Sequence, residues 1–179
     1  CGTGAVPSVR GYARSWCGFV TVVGASHRAR GLPTGYSARE LYVHTGRPAH
    51  EVRAGFISLL GMRCPEHNLI YTGVIHGRDL LAQLSDAEQR ILRESYFITP
   101  FDVFSKDKNK NLTFSDLHPI LEHDHSFRYL DTSTSTAPGS PVDAKDALIA
   151  MKNALAKADK KRHRILQCDL LMIANQDGL

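Results

Sequence analysis

The chain has little cysteine, no lysine before Lys106, no aspartate in its first sixty residues and no long apolar run. Each absence excludes something. The four cysteines, Cys1, Cys17, Cys64 and Cys168, form no CxxC pair, so a zinc ribbon or a thioredoxin-like site is not expected. Whether Cys1 and Cys17 pair is open at this level. No stretch approaches the roughly 20 apolar residues of a membrane helix, and no membrane partner is expected. There is no initiator Met, and Gly18 to Ala25 is apolar but too short for a normal signal peptide. The chain therefore reads as starting inside a longer product, or with a first part that is not native coding sequence.

What is present is ordinary for one soluble domain: 179 residues, 42% hydrophobic and 22% charged, with a formal net charge of +4. The positive charge is unevenly spread. Residues 1–60 hold seven arginines and only two glutamates, while all eight lysines lie at or beyond Lys106. Those arginines stand singly among glycines rather than on one helical face, so nucleic acid is not expected as a partner.

Residues 1–61 contain ten of the fourteen glycines together with Pro7, Pro33 and Pro48. Breakers at that density allow only short elements, such as a strand at Phe19 to Val23, and the segment reads as an irregular N-terminal extension. Helical signals dominate residues 62–179. Ser85 with Glu88 makes a capping box for a helix through Ser95, closed by Pro100. Thr113 and Asp116 suggest another capped start, shortened by Pro119. Thr132 to Pro141 reads as a Ser/Thr/Pro linker. Asp143 then opens an amphipathic helix with Leu148, Met151, Leu155 and Ala158 on one stripe. Ile165 to Ala174 is a last apolar segment, read as helical. The expected fold is mostly α, a single helical domain over residues 62–179.

Two stretches concentrate chemistry. In the first, Cys64 precedes Pro65, which lacks an N–H and fixes φ, holding a loop open before the sulfur. A thiolate there could ligate haem iron, and an inert buried cysteine fits the same spacing. In the second, Leu121 to Arg128, Glu122 and Ser126 stand four apart and share a face on a helix or tight turn. They would offer hard oxygen ligands for Mg²⁺ or Mn²⁺, with His123 as a proton-transfer group. A polar helix end with solvent-facing imidazoles fits equally well. Two further readings use this region. Ser105 to Asp116 resembles an EF-hand loop, a structural divalent-cation site in a non-enzymatic module, although Lys110 replaces the turn glycine and Asp116 the bidentate glutamate. His123-Asp124 matches the HD pair of a metal-dependent phosphohydrolase, with His76 and Asp146 as further ligands.

Taken together, the two stretches resemble the haem-thiolate peroxidases, the chloroperoxidase and unspecific peroxygenase family. The resemblance rests on Cys64-Pro65 with Asn68 and Gly73, then Leu112 to Leu117, then Glu122-His123-Asp124-His125-Ser126 and Asp131, and it covers about residues 60–160. It implies a divergent or truncated member with a chloroperoxidase-like fold, secreted, and an oxidoreductase. Cys64 would be the axial ligand of haem b. Glu122, His123 and Ser126 would hold Mg²⁺ or Mn²⁺, and His123 would assist catalysis. Hydrogen peroxide and a small organic molecule or halide would be the substrates. No glutamate follows Glu122, so the family's distal acid has no match.

Overall fold

The structure is a computed structural model that describes residues 42–62, 71–102, 105, 106, 111 and 113–179. Among the described residues the elements run β1 (Phe56–Leu60), β2 (Thr72–Val74), α1 (Gly77–Leu81), α2 (Asp86–Leu92), β3 (Phe97–Ile98), β4 (Ser135–Thr136), α3 (Val142–Lys157), β5 (Lys161–His163) and β6 (Leu170–Ala174). The strands form three antiparallel pairs, β1 with β6, β2 with β5 and β3 with β4. The expectation of a mostly helical, chloroperoxidase-like domain is thus corrected to a mixed α and β architecture. The segment read as a final helix pairs as a strand instead, with Ile57 opposite Ile173 and Leu59 opposite Leu171. A short apolar run carries no period that separates a strand from a buried helix, and here the partner strand decides.

Two helical expectations hold. Ser85 caps α2 reciprocally with Glu88, its hydroxyl accepting from the Glu88 N–H while the Glu88 carboxylate accepts from the Ser85 N–H. In α3 the buried positions include Leu148, Met151 and Leu155, with Ala144, Ala147 and Ala154 completing the face. The small alanines let α2 pack closely against α3. Asp143 lies within the first turn of α3 rather than capping it, and Pro141 provides the entry. Lys157 in the last turn complements the helix dipole.

The segment read as a linker is ordered. Ser135 and Thr136 pair with Phe97 and Ile98, and Thr134 is buried. The helix suggested at Thr113 does not form. Phe114 bridges to Pro100 and His118 bridges to Phe97. Pro119 removes a donor that a helix there would need, and the Ile120 and Leu121 N–H groups both donate to the Leu92 carbonyl at the end of α2. That bond pair drops Ile120 and Leu121 into a core shared with Leu80, Leu92, Phe97, Phe127, Tyr129 and Met151, all fully buried.

Two buried polar systems cross this core. The Leu130 N–H donates to the Thr134 hydroxyl, which lies 2.8 Å from the Thr99 hydroxyl, itself 3.0 Å from His118 Nε2. His118 Nδ1 lies 2.8 Å from the Pro119 carbonyl, which can only accept, so the proton sits on Nδ1 and Nε2 accepts from Thr99. The second system is a pair of guanidiniums. Arg53 donates to the Phe127 carbonyl and pairs with Glu122, and Arg128 donates to the Pro48 and Ala49 carbonyls and pairs with Asp116 at 2.7 Å.

Burial holds the His118 imidazole down to about 4, against a smaller opposing effect of its Pro119 hydrogen bond. The unfolded chain therefore takes up a proton near pH 6.5 that the folded chain refuses until about pH 4. Stability falls as pH falls through that window, by about 3 kcal/mol for this one group. Urea midpoints across pH 7.5 to 4.5 should show the loss, and His118→Asn should show less of it. An equally steep decline in that variant would remove His118 as the cause. Glu122→Ala should cost about 3 kcal/mol in the same assay, because it strands the Arg53 charge, whereas Arg53→Met with Glu122→Leu should cost clearly less.

Candidate functional site

The Glu122 to Ser126 stretch is a tight chain reversal rather than a helix turn. Leu121 bridges to Phe127, the Glu122 N–H donates to the Ser126 carbonyl at 2.8 Å, and the Ser126 N–H donates to the His123 carbonyl at 2.5 Å. Asp124 takes φ 34°, a left-handed conformation that aspartate tolerates better than most side chains. Arg93 clamps the reversal from α2, donating to the Glu122 and Asp124 carbonyls at 3.3 and 2.9 Å.

This geometry separates the residues that the sequence grouped. Glu122 gives its carboxylate to Arg53. His123 is exposed, and the buried Ser126 hydroxyl has no hydrogen-bond partner among the described residues. Cys64 lies outside the described residues. Of the EF-hand-like loop, residues 107–110 and 112 also lie outside them, and both Asp116 oxygens go to Arg128. His123 and Asp124 are exposed, whereas Asp146 belongs to α3 and His76 stacks on His125 at 5.9 Å. Among the described residues no three His, Cys, Asp or Glu side chains are placed to hold a metal ion together. Neither the structural-cation reading nor the phosphohydrolase reading has support.

One histidine that the sequence did not single out has its ring orientation fixed by the backbone. His44 is half-buried and bridges to Leu130, with the Thr45 N–H donating to the Tyr129 carbonyl and the Asp131 N–H to the Val43 carbonyl on either side. Its Nδ1 lies 2.7 Å from the Tyr42 carbonyl, which fixes the proton there, and among the described residues Nε2 has no hydrogen-bond partner. An imidazole oriented by a backbone carbonyl is the usual state of a metal-ligating histidine. Beside it the Gly46 N–H donates to the side chain of buried Asn175 at 2.5 Å, and Asn175 donates to the Ala54 carbonyl at 2.7 Å. A Cβ at Gly46 would come 2.4 Å from Ile57 and 2.7 Å from that Asn175 oxygen, so position 46 has no room for a side chain without rearrangement. The signal for His44 was hidden in a glycine-rich stretch that reads as an extension.

No family model matches the sequence, and no curated protein matches it. Solved structures do share its fold. An asparagine oxygenase in complex with Fe(II), (2S,3S)-3-hydroxyasparagine and succinate aligns with a TM-score of 0.69 at 21% identity, over 87% of this chain and 48% of that one. The non-haem iron oxygenase OrfP with Fe and α-ketoglutaric acid gives 0.69 at 20% identity, over 87% and 48%. The same enzyme with Fe, succinate and (3R,4R)-dihydroxy-L-Arg gives 0.70 at 19%, over 87% and 50%. The chain thus spans about half the length of the solved structures it matches. These likenesses overturn the haem-thiolate peroxidase resemblance. The proteins that share the fold hold non-haem iron with 2-oxoglutarate or succinate, so haem b, Mg²⁺ or Mn²⁺ and hydrogen peroxide are not retained as cofactors or co-substrate. A five-residue match at Glu122 to Ser126 does not carry a helical haem site when the chain folds it as a turn. Iron meets its own obstacle here, since the described residues hold no three-ligand set and do not fit an iron centre by themselves.

Proposed function

We propose that this chain is an oxidoreductase of the 2-oxoglutarate-dependent, non-haem iron kind, and that its organic substrate is an amino acid. The reading is supported by the fold it shares with oxygenases whose structures hold Fe(II), 2-oxoglutarate or succinate, and hydroxylated amino acids. Succinate beside a hydroxylated amino acid is the product pair of one reaction. Dioxygen supplies one oxygen atom to the substrate C–H bond and one to the succinate carboxylate, and carbon dioxide leaves.

The single observation within this chain that carries the reading is the His44 imidazole, fixed through Nδ1 with Nε2 unpartnered among the described residues. Non-haem iron oxygenases use two histidines and a carboxylate on one face of the metal. His44 would supply one such ligand, and among the described residues no three-ligand group forms.

Two measurements separate the parts of the proposal. The purified full chain, held anaerobic with Mn²⁺ as a spectroscopic stand-in for Fe(II), should bind about one equivalent by electron paramagnetic resonance, and His44→Ala should lose at least tenfold in affinity while keeping its circular dichroism. Under air with Fe(II) and 2-oxoglutarate, succinate should form faster when the right L-amino acid is added from a panel. Metal binding that ignores His44 would remove the ligand assignment. His44-dependent binding with no succinate for any amino acid would remove the oxygenase assignment and leave the metal site standing.

A further inference from the structure

A groove of about 500 Å³ opens on the molecule, lined by Val74 of β2, by His76 and Arg78 at the start of α1, by His125, by His163 of β5, by the 171–174 stretch of β6 and by Asp177. Its polar rim holds His76, Arg78, His125, His163 and Asp177, and its floor includes the half-buried Leu171 and Ile173. A cavity of that size with an apolar floor and a few convergent polar groups is the usual form of a small-molecule site.

The rim is built rather than incidental. Three chain segments meet there at backbone distance. The Gly77 N–H donates to the Asp177 carbonyl at 2.8 Å, and the Ile75 N–H and carbonyl pair with Leu179 at 2.6 and 2.9 Å. A Cβ at Gly77 would lie 2.3 Å from the His125 carbonyl and 2.7 Å from the Asp177 carbonyl, and one at Gly178 would lie 2.8 Å from the Ile75 carbonyl. Glycine at both positions lets the segments close, which brings His76 onto His125 and His125 to 3.9 Å from Asp177. The β2–β5 register then fixes the fourth wall, with His163 opposite Thr72 and Lys161 opposite Val74. Alternation along a strand puts Lys161 on the same face as His163.

The charge balance selects the ligand. Among the described lining residues Asp177 is the one carboxylate and Arg78 the one guanidinium, with three imidazoles beside them and Lys161 along the same strand face. The neighbouring run Lys160 to Arg164 adds to the positive field. We infer that the groove binds a small organic carboxylate, its head group taken by Arg78 and His163 and its apolar body laid on Leu171 and Ile173. A guanidinium fork matches a carboxylate two bonds at a time, and the short apolar floor favours a compact molecule over a long polyanion. This inference uses neither His44 nor iron, and it stands or falls apart from the oxygenase reading.

Fluorescence titration of the full chain with 1-naphthoate tests it. Binding should saturate at one equivalent, and the neutral counterpart 1-naphthalenemethanol should bind at least about tenfold more weakly, the scale of one lost charge-assisted hydrogen-bond pair. Arg78→Ala should weaken naphthoate by a similar factor, and Asp177→Asn should strengthen it, because a like charge leaves the rim. Both side chains are exposed, so neither change should unfold the protein, and His163→Gln gives an independent variant on another element. Equal affinity for the alcohol and the carboxylate would overturn the proposal, as would unchanged affinity in all three variants. Tight binding of a single-stranded oligonucleotide with no uptake of naphthoate would overturn it in favour of a polyanion surface.

Discussion

Two buried guanidiniums hold the organisation of this molecule together. Arg53 reaches from the segment before β1 to the Phe127 carbonyl and Glu122, and Arg128 reaches back to the Pro48 and Ala49 carbonyls and to Asp116. The two ties run in opposite directions across the same seam. Each buried charge has a carboxylate partner, which is the condition under which burying an arginine is tolerated. Because the seam fixes residues 48–53 on residues 116–128, it also fixes the neighbouring pairing of 43–45 with 129–131, where His44 lies. The candidate ligand is thus held by strand-like pairing whose register is set by ion pairs several residues away.

That arrangement explains what the sequence could and could not reveal. The Ser85–Glu88 capping box and the Leu148, Met151, Leu155 stripe are local signals, complete within one helix, and both appear in the structure as read. The segment Ile165 to Ala174 has no such signal. Its strand character comes from a partner more than a hundred residues away, and an apolar run of that length satisfies either period. Leu121 to Arg128 is a different case. Its density of carboxylate, imidazole and guanidinium looked like a reaction centre, yet Glu122 and Arg128 spend their charges on the seam, His123 and Asp124 are exposed, and His125 stacks on His76. Dense ionisable residues are as much the mark of a structural tie as of a catalytic site.

His44 shows the converse. Nothing in Tyr42-Val43-His44-Thr45-Gly46 is dense, and the surrounding glycines argue for irregular chain. A side chain at position 46 would have to displace the side-chain ends of Ile57 and Asn175, which occupy that space. A glycine forced by packing and a glycine in a loose linker look the same in one sequence. The difference is visible only once Asn175, from the far end of the chain, is seen bonding both to Gly46 and to the Ala54 carbonyl.

The strand pairs carry the last step. Two-stranded ribbons are marginal in water unless something covers a face. β3–β4 has such cover, because Phe97 is fully buried and α3 packs against β4. β1–β6 is covered less completely. Phe56, Leu60, Leu170 and Met172 share one face of it by register, and each is 60% or more exposed. Stability is therefore concentrated around α2, α3 and the Ile120 to Tyr129 segment, and the β1–β6 ribbon is held chiefly from its Ile57, Leu59, Leu171 and Ile173 side. Local opening costs least where the fewest apolar contacts are lost. The groove floor uses Leu171 and Ile173, and Asn175 beside Gly46 continues directly from β6. A ligand seated on that floor would thus brace the ribbon that also supports the loop carrying His44.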